Sequence, residues 1–365
     1  LAVALAHLTY VGIERPLQRR VAARIGARAP QLRDLRPFAI SLVAVACAAL
    51  LIVRANGVPA RYVAGVRDEV AVLRAADRAL VDAAQQASVR CVPEAQTRQG
   101  SWCFRRDHAP PRIAILGDSH AEALYATLVT ALPRDAGPLL VGRPGCAPTL
   151  LPTVAEADSP EARNRARCHR AVRLALDLIE REPTVHTVLL ASRGAFQVTG
   201  TAFGHETGLP ILPVRSDAAR PDTARLVALW VEGMARTIAR LQATGRRVIL
   251  VVDHPELGFD PRSCVTGRPL GLRSVRTPCA IPRAALDART AGYRAAIDEL
   301  ARRIPGLERY DTVEPLCDAR WCRAYVDGAL LYHDDDHLSR AGADRVFTPL
   351  ARRLHGEMAQ VASRH

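Results

Sequence analysis

From residue 112 onward, short apolar runs alternate with longer stretches of helical periodicity, and this alternation limits the possible folds more than any other feature. Runs of strand length cover 112–116, 138–141, 185–191 and 247–252. Helical patterns lie near 120–132, 161–182, 222–244, 283–304 and 340–360. Strands that alternate with helices build parallel sheets with helices on both faces. The predicted fold is therefore an α/β three-layer sandwich with a mostly parallel sheet.

The net charge of +13 raises the question of nucleic-acid binding. All 50 basic residues are arginine, which points to a compositional bias. Residues 1–54 carry eight arginines against Glu14 and Asp34, a net +6, so only +7 is spread over the remaining chain. No nucleic-acid motif accompanies these charges, and we do not expect nucleic acid as a partner.

The first 54 residues have the pattern of a membrane segment. Residues 15–36 are rich in arginine, and Phe38–Val53 contains no charge. Sixteen uncharged residues are at the low end of the length that spans a bilayer, and a buried core helix is the alternative. The positive-inside rule places 15–36 in the cytoplasm and residues 55–365 outside it. Leu1–Ile13 is apolar and lacks an initiator methionine, so we expect a piece of a longer protein.

Residues 55–110 are predicted to be a helical linker ahead of a domain at 111–365. Apolar side chains recur at helical spacing over 61–90, separated by charges. Mixed acids and arginines favour packing on the domain, and an amphipathic helix on the membrane surface is the alternative.

Nine cysteines are present, and Cys47 lies apart within the apolar stretch. The other eight form neighbours in sequence, which suggests four local disulfides: Cys91 with Cys103, Cys146 with Cys168, Cys264 with Cys279, and Cys317 with Cys322. Eight cysteines allow 105 connectivities, so this pairing rests on proximity alone. Disulfides indicate an oxidising compartment, and reduced buried thiols are the alternative.

The apolar run 112–116 ends in Gly117-Asp118-Ser119, and a helical pattern follows. Strand, tight turn and helix would present Ser119 at the carboxyl edge of the sheet, where open α/β sheets bind ligands. The start of the helix would offer N–H groups to an oxyanion. Asp118 and Ser119 are also common helix N-caps, which is the structural alternative.

A serine nucleophile needs a histidine base and a group that orients it. His337 lies before the last helical pattern, and Asp334 stands three residues earlier, a spacing that lets both face one side. Asp335 and Asp336 are alternative orienters, although adjacent residues point away from the imidazole in most backbone geometries. Helix capping and binding of a divalent metal are alternative roles for these aspartates. His254 after Asp253 is a rival base.

These motifs resemble the SGNH/GDSL hydrolase family: Gly117-Asp118-Ser119 follows a strand, and Asp334-x-x-His337-Leu338 precedes the last helix. The absence of a G-x-S-x-G elbow argues against the α/β-hydrolase alternative. Tyr10-Val11-Gly12-Ile13-Glu14-Arg15-Pro16-Leu17 is similar to the end of an acyltransferase-3 membrane domain, which often carries a fused periplasmic SGNH domain. The resemblance implies a flavodoxin-like strand order, one or two preceding transmembrane helices, and an inner-membrane location with residues 55–365 in the periplasm.

The resemblance also implies the site. Ser119, His337 and Asp334 would be nucleophile, base and orienter. The N–H groups of Ser119 and Gly145 would bind the oxyanion, with Arg193 where the family's Gly-x-Asn-Asp block is missing; a surface salt bridge is the alternative for Arg193. Candidate substrate contacts are Asp118, His120 and His254.

The function implied is an O-acyltransferase, most simply O-acetyl, acting on a cell-envelope glycan such as lipopolysaccharide O-antigen, exopolysaccharide or peptidoglycan. Acetyl-CoA would supply a membrane domain upstream, and the chain itself would need no cofactor and no metal. The expected partners are the lipid bilayer, the glycan acceptor and the acyl donor. A carbohydrate O-acetyl esterase and a non-catalytic glycan-binding domain are the two alternatives.

Overall fold

The protein divides into two compact units, residues 1–63 and residues 64–365. The computed structural model describes residues 7, 10–16, 18–19, 32–54, 71–76, 88–91, 101–106, 109–151, 160–204, 223–265 and 275–362. Parts of the predicted linker and of the loops at 143–160, 197–221 and 254–282 therefore lie outside the described residues.

The first unit contains a π-helical turn, Tyr10–Glu14, and the helix α1, Leu32–Arg54. The helix predicted at 38–53 is thus present. Those of its apolar side chains that the structure describes are exposed, Ile40, Leu42 and Leu51 among them. Among the described residues, no helix combines the length and the apolar character that crossing a membrane requires.

The second unit is built on a seven-stranded sheet with the spatial order β1-β2-β4-β3-β5-β6-β8. Its strands are β1 Ser88–Arg90, β2 Trp102–Arg106, β3 Ile113–Gly117, β4 Pro138–Gly142, β5 Thr187–Ala191, β6 Arg247–Val252 and β8 Glu308–Asp311. β4, β3, β5, β6 and β8 are parallel to one another, whereas β2 is antiparallel to β1 and to β4. If the five parallel strands are numbered along the chain, their spatial order in the sheet is 2-1-3-4-5. This is the flavodoxin-like order that the resemblance implied.

Helices cover both faces of the sheet. They are α2 Ser119–Ala131, α3 Pro160–Arg181, the short α4 Gly194–Thr199, α5 Thr223–Gln242, α6 Arg283–Arg303 and α7 Arg340–Ala362. Ile113 and Ile115 of β3 belong to one apolar core, which α2 and α7 share. Ala114 and Leu116 belong to the other, with α3, α5 and α6. Successive residues of a strand point to opposite faces, so a fully apolar strand fills both cores, and the predicted three layers are confirmed.

The structure corrects the prediction between residues 55 and 110. Residues 71–76 are helical, and Ala76 packs on the α2–α7 side. However, β1 and β2 are strands of the sheet, not part of a helical linker. Trp102–Arg106 has three apolar residues followed by two arginines and so shows no alternation, and its pairing with β4 determines its conformation.

One edge strand and two small strand pairs were also not predicted from the sequence. β8 is an edge strand with alternating burial, and its acidic Glu308 pairs with Arg247 and Arg353. Two small antiparallel pairs join β7 Ala280–Pro282 to β9 Trp321–Arg323, and β10 Tyr325–Val326 to β11 Ala329–Leu330. All are too short or too polar to give a periodic signal.

The four predicted disulfides are confirmed: Cys91–Cys103, Cys146–Cys168, Cys264–Cys279 and Cys317–Cys322. Cys47 on α1 is a free, exposed thiol. The Cys146–Cys168 bridge ties the loop after β4 to α3, and Cys91–Cys103 joins the chain after β1 to β2. The disulfides therefore cross-link the loop after β4 to a helix and the chain after β1 to the neighbouring strand.

Candidate active site

Ser119 lies at the carboxyl end of β3, the central strand at which the strand order reverses. A Cβ on Gly117 would lie 1.8 Å from the carbonyl oxygen of Ala191 in β5, so only glycine allows the two strands to end so close together. Asp118 caps α2 by accepting the N–H of His120 at 3.0 Å. Ser119 is the first residue of α2, and its N–H therefore has no partner within the helix. Ligands bind at such a switch point in open α/β sheets.

The loop before α7 brings His337 to Ser119. The Nε2 atom of His337 lies 2.8 Å from the Oγ of Ser119. Its Nδ1 lies 3.0 Å from each carboxylate oxygen of Asp334. Asp334 Oδ1 also accepts the main-chain N–H groups of Asp336 and His337, at 3.1 and 2.7 Å. The three residues predicted from their spacing thus form a hydrogen-bonded series with the geometry of a serine–histidine–aspartate triad.

The structure corrects the expectation that Asp336 points away from the imidazole. Asp336 Oδ1 lies 3.0 Å from His337 Nδ1, the same separation as for Asp334. Burial alone would lower the pKa of His337, but the hydrogen bonds to Asp334 and Asp336 outweigh it and raise that pKa to about 9. The Nδ1 atom of His337 thus contacts two carboxylates.

A second layer of charged groups lies beneath the triad. His120 Nδ1 is 2.7 Å from Asp253 Oδ1, and its Nε2 is 3.3 Å from Asp336 Oδ2. All three side chains are buried. A neutral imidazole has a single N–H and would turn a lone pair toward one of the two carboxylates, so this arrangement fits an imidazolium. Burial opposes the charge, but Asp253 and Asp336 raise the pKa of His120 well above its usual value.

His254 is the neutral partner of His120. The two rings stack with centroids 4.6 Å apart. His254 Nε2 donates to the main-chain carbonyl of Asp336 at 2.6 Å. Burial, followed by the charge of His120, lowers the pKa of His254 to about 4. His254 is therefore uncharged at neutral pH.

The three predicted substrate contacts all lie below the surface. Asp118, His120 and His254 are at most 4% exposed. Asp118 accepts the N–H groups of His120 and Arg193, at 3.0 and 3.1 Å, and burial raises its pKa. Asp118, His120 and His254 therefore lie beneath Ser119 and His337 and support them.

The candidate oxyanion groups occupy two loops beside Ser119. Gly145 is exposed, has φ +69° and lies after β4, where the turn is closed by the Cys146 N–H and the Arg143 carbonyl. Arg193 lies after β5, and its guanidinium contacts Glu256 Oε1 at 2.6 Å and Asp336 Oδ2 at 2.8 Å. The alternative of a surface salt bridge is wrong for Arg193, because its side chain is 13% exposed and both partners are buried.

Three acidic residues of the site were not predicted to belong to it. Glu256 is buried and joins Arg193 to Arg289, whose Nε lies 2.6 Å away. Asp253 Oδ2 accepts the N–H of Gly194 at 2.9 Å. Glu122, one turn after Ser119, faces His337, and burial raises its pKa to about 7. Only Asp253, at the end of a predicted strand, had a position that pointed to the site.

The same cluster contains donor sets that suit a divalent cation. His120, Asp336 and His337 form one group, His120, Asp253 and His254 a second, and Asp334, Asp335 and Asp336 a third. Imidazole and carboxylate are ordinary metal ligands. In these groups His120 and His337 already contact the carboxylates of Asp253 and Asp336 at 2.7–3.3 Å.

A doubly wound sheet that carries serine, histidine and aspartate at its carboxyl edge is the arrangement of the SGNH hydrolase-like class. Residues 90–352 match the model of the SGNH domain (fused to AT3 domains). The chain therefore belongs to the family of SGNH domains that are fused to AT3 domains. The match begins within β1, ahead of the predicted domain start at 111.

Comparison with solved structures gives nine matching chains. One is the periplasmic domain of the lipopolysaccharide acetyltransferase of Salmonella ser. Paratyphi A, with 15% identity, TM-score 0.46, and coverage of 67% of this chain and 84% of that chain. Another is a Bacteroides fragilis NCTC 9343 protein described as an acylhydrolase, with 11% identity, TM-score 0.35, and coverage of 68% and 87%. No curated protein matches the chain in sequence.

Proposed function

We propose that this protein is an O-acyltransferase, most simply an O-acetyltransferase, that forms an acyl-enzyme on Ser119 and passes the acyl group to a hydroxyl of a cell-surface glycan. The observation that carries the proposal is the 2.8 Å contact between Ser119 Oγ and His337 Nε2, with carboxylates behind Nδ1. Membership of a family fused to AT3 domains favours transfer over hydrolysis.

The proposed reaction has two acyl-transfer steps. Neutral His337 takes the proton of Ser119 as Oγ attacks the donor ester or thioester, and the acyl–leaving-group bond breaks as His337 returns the proton to the leaving group. His337 then deprotonates the glycan hydroxyl, which attacks the acyl carbon; the bond between the acyl carbon and Ser119 Oγ breaks, and His337 returns the proton to Oγ. Asp334 holds the imidazole throughout. The acyl group would originate from acetyl-CoA and reach this domain through the AT3 membrane domain.

The oxyanion formed in each step needs donors beside Ser119. We assign this role to the N–H groups of Ser119 and Gly145. In the structure Arg193 gives its own N–H to Asp118 and places its guanidinium on Glu256 and Asp336. Its positive charge would stabilise the oxyanion from there. Removal of one oxyanion donor typically costs about 100- to 1000-fold in rate.

The oxidising compartment that four disulfides require agrees with a domain that works outside the cytoplasm. A periplasmic position attached to the inner membrane would place Ser119 where cell-surface glycans are modified. Residues 1–54 would then be the end of the membrane domain.

Complementation of a deletion strain with the full-length protein tests this function. Ser119→Ala should abolish glycan O-acetylation, measured by mass spectrometry or NMR of the purified glycan. Ser263→Ala should leave it intact, because the Ser263 hydroxyl bonds only the Asp260 carbonyl among its described contacts. A rise in acetylation with Ser119→Ala would identify an esterase. Unchanged acetylation would indicate a non-catalytic glycan-binding domain.

A further inference from the structure

Two carboxylates compete for the single Nδ1 proton of His337. Both oxygens of Asp334 and the Oδ1 of Asp336 lie 3.0 Å from this nitrogen. A triad in which one aspartate orients the histidine needs only the contact with Asp334. The second contact therefore requires a physical explanation.

The two aspartates differ in environment. The Asp334 side chain is 43% exposed, whereas that of Asp336 is 3% exposed. Asp334 Oδ1 is also shared with the main-chain N–H groups of Asp336 and His337, which close the turn. A carboxylate interacts more strongly with an imidazolium away from water, where the effective dielectric constant is lower. Burial of Asp336 therefore strengthens its interaction with His337.

Asp336 is held in place from its other side. Its Oδ2 contacts Arg193 Nη1 at 2.8 Å and His120 Nε2 at 3.3 Å, and its main-chain carbonyl accepts from His254 at 2.6 Å. A buried carboxylate without partners would take up a proton, and burial does act to raise the pKa of Asp336. Hydrogen bonds from His120 and His337 outweigh burial and hold that pKa well below its usual value. The carboxylate is consequently ionised and fixed.

The contact to His120 is itself anchored. Asp253 Oδ1 bonds His120 Nδ1, and Asp253 Oδ2 accepts the N–H of Gly194. Burial would raise the pKa of Asp253, but the charge of His120 lowers it. The result is an alternating series from β6 to the nucleophile: Asp253, His120, Asp336, His337 and Ser119. The first three pairs each join a carboxylate to a histidine, and the last joins His337 to the Ser119 hydroxyl.

We propose that Asp336 is a positioning residue that shares the Nδ1 proton of His337 with Asp334, and that Asp253, His120 and Arg193 fix its carboxylate. The effect on catalysis rests on the proposed function, whereas the effect on His337 itself does not. The orienting role would thus be divided between a partly exposed aspartate that closes the turn and a buried aspartate anchored in the core.

Divided orientation has a kinetic consequence. Loss of the orienting aspartate in a single-orienter triad costs about 10⁴-fold in kcat. With two orienters, Asp334→Asn should lower the rate of Ser119 acylation by about 10- to 100-fold, and the Asp334→Asn/Asp336→Asn double variant by about 10⁴-fold. A loss with Asp334→Asn alone as large as that of the double variant would contradict the shared role.

NMR titration of the full-length protein with ¹³Cε1-labelled histidine tests the inference without relying on activity. The other titratable groups that face His337 are His120 and Glu122, and both remain in every variant. The pKa of His337, about 9 in the native protein, should fall by about one to three units in Asp336→Asn. Asp335→Asn is the matched control, because it removes one negative charge from the same loop while Asp334 and Asp336 keep their contacts to His337.

An unchanged His337 pKa in Asp336→Asn would overturn the inference. A fall of the same size in Asp335→Asn would also overturn it, because the shift would then reflect any loss of charge in the loop. If Asp336→Asn does not fold, Asp334→Asn carries the test: the His337 pKa should stay above its ordinary value of 6.5 because Asp336 remains, and a fall to that value would be contradictory. Failure of the native protein to acylate Ser119 would reject the proposed function and leave these titrations valid.

Discussion

At the scale of single residues, the protonation of two histidines distinguishes their roles. His120 lies between two buried carboxylates and is cationic, whereas His337 faces two carboxylates on one side and a hydroxyl on the other. Only His337 reaches a hydroxyl from which it can take a proton. The buried pair of His120 and Asp253 supplies charge and position beneath it.

The pH dependence of Ser119 acylation follows from His337. Its pKa is raised to about 9, so the neutral base is the minor form at pH 7 and becomes dominant only as the pH rises through that value. We expect kcat/KM for p-nitrophenyl acetate, corrected with Ser119→Ala, to increase from pH 7 through the pKa of about 9 and to level off above it. A plateau already reached below pH 7 would show that the carboxylates do not raise this pKa.

At the scale of secondary-structure elements, a glycine allows the elements of the site to pack closely. A Cβ on Gly194, at the start of α4, would lie 2.1 Å from the Tyr293 ring of α6. The Gly194 N–H is also a partner of Asp253. The packing of α4 on α6 and the anchor of His120 therefore depend on the same residue.

Gly194→Ala should destabilise the protein by about 1–3 kcal/mol, because an overpacked buried site forces neighbouring side chains to shift. Gly292→Ala on α6 is the matched control. Gly292 is exposed, no atom lies within 4 Å of the position that a methyl group would take, and alanine in a helix should stabilise by about 0.5–1 kcal/mol. Urea unfolding monitored by circular dichroism measures both. Equal stabilities of the two variants would contradict the proposed packing.

The elements show which parts of the fold could be predicted from the sequence. β3, β4, β5 and β6 are apolar on both faces and gave clear signals, as did the five long helices of the second unit. β8 was missed because an edge strand carries charged residues such as Glu308, and β2 was missed because its pairing with β4 is non-local. Short-range periodicity does not contain such information.

The site follows the same rule. Ser119, His337 and Asp334 could be predicted because each lies in a local motif of strand, turn or helix start. Asp336 was judged by local backbone geometry and was misplaced, since contacts to His120 on α2 and to Arg193 in the loop after β5 determine its orientation. Glu256 gave no signal because its two arginine partners are 63 and 33 residues away in sequence.

At the scale of the whole molecule, the disulfides determine the compartment in which the protein can keep its fold. All nine cysteines lie in the described residues, and eight are paired. Alkylation of the protein from its native compartment, denatured without reductant, should modify one thiol per chain, that of Cys47. Reduction beforehand should raise the number to nine. More than one modified thiol without reductant would show that a bridge is absent.

The central claim is that Ser119 carries the acyl group during transfer. We expect mass spectrometry of the full-length protein after brief incubation with p-nitrophenyl acetate to show one acetyl group, located by peptide mapping on Ser119. The acetyl should accumulate more slowly in His337→Ala and be absent from Ser119→Ala. Addition of the acceptor glycan should discharge it. Absence of acetyl from Ser119, or equal labelling of Ser119→Ala, would contradict the mechanism.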